Sequence, residues 1–416
     1  MKVSVIGLGG IGYSWAVLLA SIDYKVVGID INPNVIKNPR ADKSVRELFA
    51  KHENKIKKNL KLTTNYKEIK ECELIFCTVN AGFDEQTRQL NLKPVEAVLE
   101  TTNKMFKKPP TIIVITTLPY GASKILSRIC DYAVVPQMVA QGHYVYGYIN
   151  PPFIIIGSTS KKAEKDAKSF YEEFFKRLKI KQPPTYFTDP RTVEMTKLVA
   201  NAFLSMKLVF ANTINTLCEP ENIDARLILK AMGNDPRIGY GFLTAYYAYG
   251  GECFPKDMKA LITTCKEIAT KGKMKPAELF EVIEALNNER VLSPINVLQD
   301  KGLLDKSTKI AILGLAYKAG ISDTRSSPSM ILVDELRNEG YTIDSYDPNL
   351  PGQKKLDSIL KTSDVVIVTT AEKEFQELNL NSKCKAVLDY ANIVNPKSIP
   401  KNVSFFKAGV GWLKKS

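Results

Sequence analysis

The opening strand–turn–helix–strand, residues 2–30, restricts this chain more than any other feature. "KVSVIG" (2–7) reads as a buried strand, "GLGGIG" overlaps its end, and Trp15, Leu18 and Leu19 then recur at helical spacing. A second strand, "KVVGID" (25–30), ends at Asp30. Gly7, Gly9 and Gly12 fit G-x-G-x-x-G, with Ile11 inside the turn. Glycines let the backbone approach a pyrophosphate, which sits at the positive N-terminus of the helix. An acid at the end of the second strand would accept hydrogen bonds from an adenosine ribose and repel a 2′-phosphate. The unit therefore predicts NAD rather than NADP, with Gly7, Gly9, Ile11, Gly12 and Asp30 as cofactor-binding residues.

A basic residue followed by an apolar stretch also describes a secretory leader. Here the glycine cluster divides the stretch into a β-branched run and a helical one. No other segment approaches the roughly twenty uninterrupted apolar residues of a membrane span. The expectation is a cytoplasmic chain with no membrane partner. Further strands are expected at "ELIFCTV" (73–79), "TIIVITT" (111–117) and "YAVVPQM" (132–138), which carries the first domain to about residue 185.

The pattern then returns. "TKIAILGLAYK" (308–318) echoes the N-terminus, "GYTIDSYDP" (340–348) echoes the second strand, and "SDVVIVTT" (363–370) follows. The second copy lacks the third glycine and carries Lys318 and Arg325 instead. Cations at that place suit a nucleotide diphosphate bound differently from a dinucleotide. Between the copies, "RTVEMTKLVANAFLSMKLVFANTINTLCE" (191–219) sustains apolar helical spacing for about eight turns.

Composition narrows the partners. The 416 residues carry a formal net charge of +14, which admits nucleic acid or a phosphorylated small molecule. The lysines are dispersed, and runs such as Lys55-Ile56-Lys57-Lys58 read as solvated helix faces. With no zinc-finger or aromatic-basic signature, no nucleic-acid partner is expected. Seven cysteines contain no CxxC pair, and there are two histidines, so neither a disulfide framework nor a metal site is predicted. A reducing compartment is the simplest reading. Within "YGGECFPKDMKAL" (249–261), Cys253 follows two glycines, a setting that suits a nucleophile approached by substrate.

"GGECFPKD" resembles the GGxCFPKD signature of the UDP-glucose/GDP-mannose dehydrogenase family, the nucleotide-sugar 6-dehydrogenases. Other signposts follow in order along nearly the whole chain. "TTLPYGAS" (116–123) is similar to S-T-V-P-P-G-T, and "EMTKLVANAF" (194–203) to E-x-x-K-x-x-x-N. "DPRIG" (235–239) precedes the cysteine loop. "LGLAYKAGISDTRSSP" (313–328) is similar to G-L-x-F-K-x-x-x-D-D-x-R-x-S-P, with "YDP" (346–348) after it.

The resemblance implies a four-electron oxidation of a nucleotide-sugar C6 alcohol to a carboxylate, with two NAD⁺ and a cysteine thioester. Cys253 would be the nucleophile. Lys197 would stabilise the developing oxyanion, with Asn201 four residues on donating to the same oxygen. Asp257 would orient the hydrolytic water with Thr117. Thr117 would also lie near the cofactor, and Lys256 and Arg325 resemble residues near the cofactor or across the closed domain interface. The implied substrate-binding residues are Gln137, Lys197, Asn201, Arg237, Tyr249, Gly250, Gly251 and Lys318. A homodimer through the central helices is implied as well.

Four departures stand out. The P-E-F-L-R-E-G of glucose-type members reads "PQMVAQG" (136–142), so Gln137 and Gln141 replace two glutamates. The P-G-x-G-x-G-G loop reads "AYYAYGG" (245–251), whose Tyr246, Tyr247 and Tyr249 either reshape the sugar pocket or pack against the third domain. The P-T-P turn reads "NAG" (80–82). D-x-R-N reads "DYAN" (389–392) and loses an arginine.

The expected fold is α/β, with two Rossmann-like parallel-sheet domains joined by a central helical domain with a long connecting helix. The domains are 1–185 (NAD), 186–295 (helical) and 296–416 (UDP-sugar). UDP-glucose is the favoured substrate. UDP-N-acetylglucosamine or UDP-N-acetylmannosamine is the runner-up. A two-electron oxidoreductase and a non-catalytic binding protein are the other readings.

Overall fold

The computed structural model describes residues 1–244, 246–269 and 275–413, and the chain divides into two compact units, Met1–Val199 and Ala200–Ser416. The first unit begins with β1 (Lys2–Ile6), α1 (Gly10–Ser21) and β2 (Lys25–Ile29). Between β2 and the next strand lie, among others, α2 (Lys43–Lys51) and α3 (Glu53–Asn59); β3 (Leu60–Thr63), β4 (Leu74–Cys77) and β5 (Thr111–Val114) come after them. After the short α4 (Ser123–Leu126) come β6 (Tyr132–Val134), α5 (Tyr144–Ile149), β7 (Ile154–Ser158), α6 (Lys161–Leu178) and β8 (Thr185–Thr188).

The eight strands form one sheet in the order β8-β7-β6-β5-β4-β1-β2-β3, parallel except where β6 meets β7. Both faces are covered, which is why these strands read as continuous apolar runs. Leu74 and Phe76 point into one core with Trp15, Phe170 and Phe174, while Ile75 and Cys77 point into the other with Val95 and Leu99. The run "YAVVPQM" stops as a strand at Val134, short of the expected 138. Pro136 has no N–H to give a ladder. Lys55, Lys57 and Lys58 are exposed on α3 around the buried Ile56, as expected.

The helix α7 (Pro190–Cys218) continues for 29 residues without a break, and the division between the two units falls inside it. The second unit continues with α8 (Ala225–Gly233), α9 (Phe254–Ala269) and α10 (Pro276–Asp300). It then builds a second sheet from β9 (Lys309–Leu313), β10 (Thr342–Tyr346), β11 (Val365–Val368), β12 (Ala386–Asp389), β13 (Ser404–Lys407) and β14 (Gly411–Trp412). Its order is β10-β9-β11-β12-β13-β14, parallel except for the last pair. The helix α11 (Pro328–Asn338) connects β9 to β10. The two sheets and the helices between them in sequence give the expected α/β class. Among the described residues, no helix is long and apolar enough to cross a membrane.

Candidate active-site elements

In the first unit the glycine turn is built as the fingerprint requires. Gly7 has φ +95° and its N–H donates to Ile29 O at 2.8 Å. A Cβ on Gly12 would collide with the Gly7 carbonyl, so this glycine allows α1 to start against the strand end. Nothing lies within 4 Å of where a Gly9 Cβ would be, so that face of the turn is open. Asp30 accepts from Leu8 N–H at 2.8 Å and from Asn32 N–H at 2.9 Å. Each bond uses one lone pair on a different carboxylate oxygen, which leaves acceptor capacity for a ribose. Open space at Gly9, glycines at the helix start and this acid fit a dinucleotide.

Lys197 is buried, and its Nζ donates to the main-chain O of Gln137 at 3.1 Å, with Met138 Sδ at 3.8 Å. The Gln137 side chain turns the other way. Its Nε2 lies 3.1 Å from Tyr171 Oη and 3.3 Å from Val135 O, beside a small closed space lined by Trp15, Tyr148 and Phe175. The carbonyl of Gln137, not its amide, therefore meets Lys197.

Glu194, three residues before Lys197, received no role from sequence reasoning. Its buried carboxylate accepts from Gly121 N–H and Ser123 N–H, both at 2.8 Å, and so holds the "TTLPYGAS" loop at the start of α4. Burial raises its pKa. The same loop carries the half-buried Thr117, while Thr116 donates to Val79 O at 2.7 Å.

In the second unit, Cys253 stands immediately before α9, and its carbonyl accepts from Asp257 N–H at 3.0 Å. Of the seven cysteines, Cys253 alone is exposed. Burial pushes the Cys72 and Cys384 thiols up to about 11 and Cys77 to about 12, which marks them as inert packing groups. A helix N-terminus stabilises negative charge within its first turn. Asp257 occupies that turn, buried, and Asn201 Nδ2 donates to its carboxylate at 2.5 Å. Asn201 is thus paired with Asp257 in this structure, a partner that the spacing did not suggest. Lys256, beside it in α9, is half-buried.

The glycine pair has a structural cause besides the one expected. Gly251 has φ +85°, and a Cβ there would lie 2.7 Å from the Tyr317 ring. A Cβ on Gly250 would collide with the Ser326 carbonyl and stand 2.6 Å from Pro328 Cδ. The glycines admit the 314–327 loop of the same unit, so close approach by a substrate is not needed to explain them. Asn287, also missed, clamps Tyr249 by accepting from its N–H at 2.8 Å and donating to its O at 3.1 Å.

The tyrosine question divides by residue. Tyr246 and Tyr247 pack into the core of the second sheet, and Tyr247 Oη donates to Val291 O at 2.8 Å. Tyr249 stacks edge-on against Phe254, and burial pushes its pKa up to about 12. Ala245 lies outside the described residues. A buried ion pair holds this loop from behind. Arg290 Nη2 meets Glu219 Oε1 at 2.8 Å and also donates to Tyr246 O at 2.8 Å.

The cations of the second copy are differently placed. Arg325 pairs with Asp323 at 2.6 Å and Glu252 at 2.5 Å, and these carboxylates hold its guanidinium well above the ordinary arginine value. Lys318 is exposed on the same loop. Arg237 is largely exposed and forms a local fork on Asp235 at 2.6 Å.

Three models of one family match the chain, described as the NAD-binding, central and UDP-binding domains of the UDP-glucose/GDP-mannose dehydrogenase family. They cover residues 1–175, 191–289 and 311–396. The chain belongs to this family of NAD-dependent nucleotide-sugar oxidoreductases. A UDP-glucose 6-dehydrogenase of Bacillus subtilis is 28% identical over 409 residues, 91% of this chain and 90% of that one. A UDP-N-acetyl-D-mannosamine dehydrogenase of Pyrococcus horikoshii is 27% identical over 450 residues, 99% of each. The fold matches a UDP-glucose dehydrogenase structure from Pyrobaculum islandicum with a TM-score of 0.84 at 22% identity, over 99% and 98% of the two chains.

Proposed function

We propose that the protein oxidises the C6 alcohol of a UDP-hexose to the carboxylate, in four electrons, through a covalent intermediate on Cys253. The observation that carries this is the exposed thiol at the start of α9, one turn before a buried Asp257 held by Asn201. Lys197 stabilises the C6 oxygen as it loses its proton. The Cys253 thiolate adds to the aldehyde carbon of the first oxidation and gives a thiohemiacetal. Loss of a second hydride leaves a thioester, and water then displaces the thiol to release the uronate. Bound NAD supplies the hydride acceptor for each oxidation. Asp257 and Thr117 orient the water. Gln137 contributes its main-chain carbonyl to Lys197, an acceptor that any side chain at that position would leave in place.

Gly7, Gly9, Ile11, Gly12 and Asp30 hold the dinucleotide, with Lys256 and Arg325 as further cofactor contacts. Arg237, Tyr249, Gly250, Gly251 and Lys318 are assigned to the nucleotide-sugar. The working domain division is 1–185, 186–295 and 296–416, in a cytoplasmic homodimer. Exposed Phe203, Phe210 and Leu217 recur every seven residues along α7 and support that assembly. UDP-glucose is the first substrate to try. UDP-N-acetylmannosamine is the second, favoured by the relative of that specificity at nearly equal identity.

The test counts NADH per sugar across a panel of UDP- and GDP-hexoses, identifies the product by mass, and repeats the assay with Cys253→Ala. Two NADH and a uronate, both lost in the variant, are expected. One NADH with an aldehyde product would contradict the four-electron reading. NAD binding without turnover of any sugar would point to a binding protein.

A further inference from the structure

The segment that leads into Cys253 belongs to no helix or strand, yet side chains grip its main chain. Arg290 donates to Tyr246 O from Nε at 3.2 Å and from Nη2 at 2.8 Å. Asn212, on α7, donates to Tyr247 O at 2.8 Å. Asn287 stands three residues before Arg290 on α10 and so shares its face. It accepts from Tyr249 N–H at 2.8 Å and donates to Tyr249 O at 3.1 Å. All three side chains are buried.

The bonds of Asn287 differ in kind from the other two. One amide satisfies both the donor and the acceptor of a single residue, as a neighbouring strand would. A lone bond leaves a peptide free to turn about it; the paired bonds fix the orientation of Tyr249. The Tyr249 ring then stands edge-on to Phe254, with centroids 5.9 Å apart. Phe254 is the first residue of α9 and directly follows Cys253. On the near side, Gly251 N–H donates to Ser326 O at 3.4 Å. Cys253 is therefore held from before and after, and Tyr249 is the link common to its anchor and its helix.

We propose that Asn287 is a positioning residue for the Cys253 thiol. By gripping Tyr249 through both main-chain groups, it keeps the thiol at the N-terminus of α9. A helix terminus favours negative charge only within its first turn, so a loop that drifts away loses that help. The thiolate, not the thiol, is the nucleophile. The purpose of the clamp rests on the covalent route through Cys253.

The experiment measures the rate of iodoacetamide alkylation on the peptide containing Cys253, mapped by mass, in the unaltered protein and in Asn287→Leu. No sugar or cofactor is present. Alkylation of the native variant should be about fivefold slower, the scale of one helix-terminus interaction with a charge. In urea the two rates should be equal. Asn287→Asp keeps the acceptor and removes the donor; it should show a smaller fall and carries the test if the leucine variant does not fold. Equal native rates, with only the urea midpoint lowered, would overturn the proposal by making the role purely structural. Faster alkylation of the variant would also overturn it, since the clamp would then shield the thiol. Slower alkylation in a protein that turns over no sugar would leave the clamp standing and remove the covalent route instead.

Discussion

The chain builds the same strand-end turn twice and then uses it in opposite ways. At the end of β1, Gly7 has φ +95°; at the end of β9, Gly314 has φ +96°. Gly7 N–H bonds Ile29 O at 2.8 Å, and Gly314 N–H bonds Tyr346 O at 2.7 Å. Thr78 Oγ1 donates to Ile6 O and Gly7 O at 3.0 and 2.7 Å, and Thr369 Oγ1 to Leu313 O and Gly314 O at 3.0 and 2.6 Å. After the glycine the copies part. In the first, α1 starts at Gly10. In the second, α11 waits until Pro328, and the intervening loop packs against Gly250 and Gly251 beside the cysteine.

The acids diverge with the turns. Asp30 is half-buried and keeps acceptor capacity. Asp347 is fully buried and accepts from Leu315, Ala316 and Asn349 N–H groups at 2.8 to 2.9 Å. The first glycine of the fingerprint thus belongs to the sheet, which both copies need. The third belongs to the helix that follows at once, which one copy has. A strand-end acid keeps acceptor capacity only where the loop leaves it uncovered.

The largest expected effect comes from Gly12→Val, which drives a side chain into the Gly7 carbonyl. NAD⁺ affinity should fall by a hundredfold or more, while UDP affinity, read by the same titration, stays unchanged; equal losses would break the division of labour. Next is the pair Asp347→Ala and Asp30→Ala. The buried acid should cost about 3 kcal/mol of stability, because the buried N–H groups of Leu315 and Ala316 and that of half-buried Asn349 lose their acceptor. The other should cost under about 1 kcal/mol and weaken NAD⁺ about tenfold. Urea denaturation and NAD⁺ titration read the two, and similar stability losses would erase the contrast.

Gly251→Ala places a Cβ 2.7 Å from the Tyr317 ring at a positive φ. It should cost about 1–3 kcal/mol and lower kcat more than NAD⁺ affinity. The smallest effect is expected from Glu252→Gln. It removes one of two carboxylates on Arg325 in a partly exposed pair and should change stability by less than about 1 kcal/mol.

Much of this was legible in the sequence, and the failures have physical reasons. The long helix over 191–219, the glycine turn and the repeat were readable because each follows a local period or a backbone requirement. The contacts of Asn201 with Asp257, of Glu194 with the 121–123 amides, and of Asn287 with Tyr249 were not. Each joins residues dozens of positions apart, and no local pattern records which polar group a buried amide or carboxylate will meet. The glycine pair was noticed for substrate approach, and the structure adds a neighbouring loop of the same unit that also requires it. A requirement for close approach is visible in a sequence, but not what approaches.

The most direct test of the account is a covalent one. Asp257→Asn, which should slow hydrolysis, would be mixed with NAD⁺ and the preferred UDP-sugar, quenched in acid and digested for mass mapping. A hydroxylamine-labile uronyl adduct on the peptide containing Cys253, absent in Cys253→Ala, is the predicted result. Full turnover by Cys253→Ala, with no adduct on any cysteine of the Asp257→Asn protein, would contradict it.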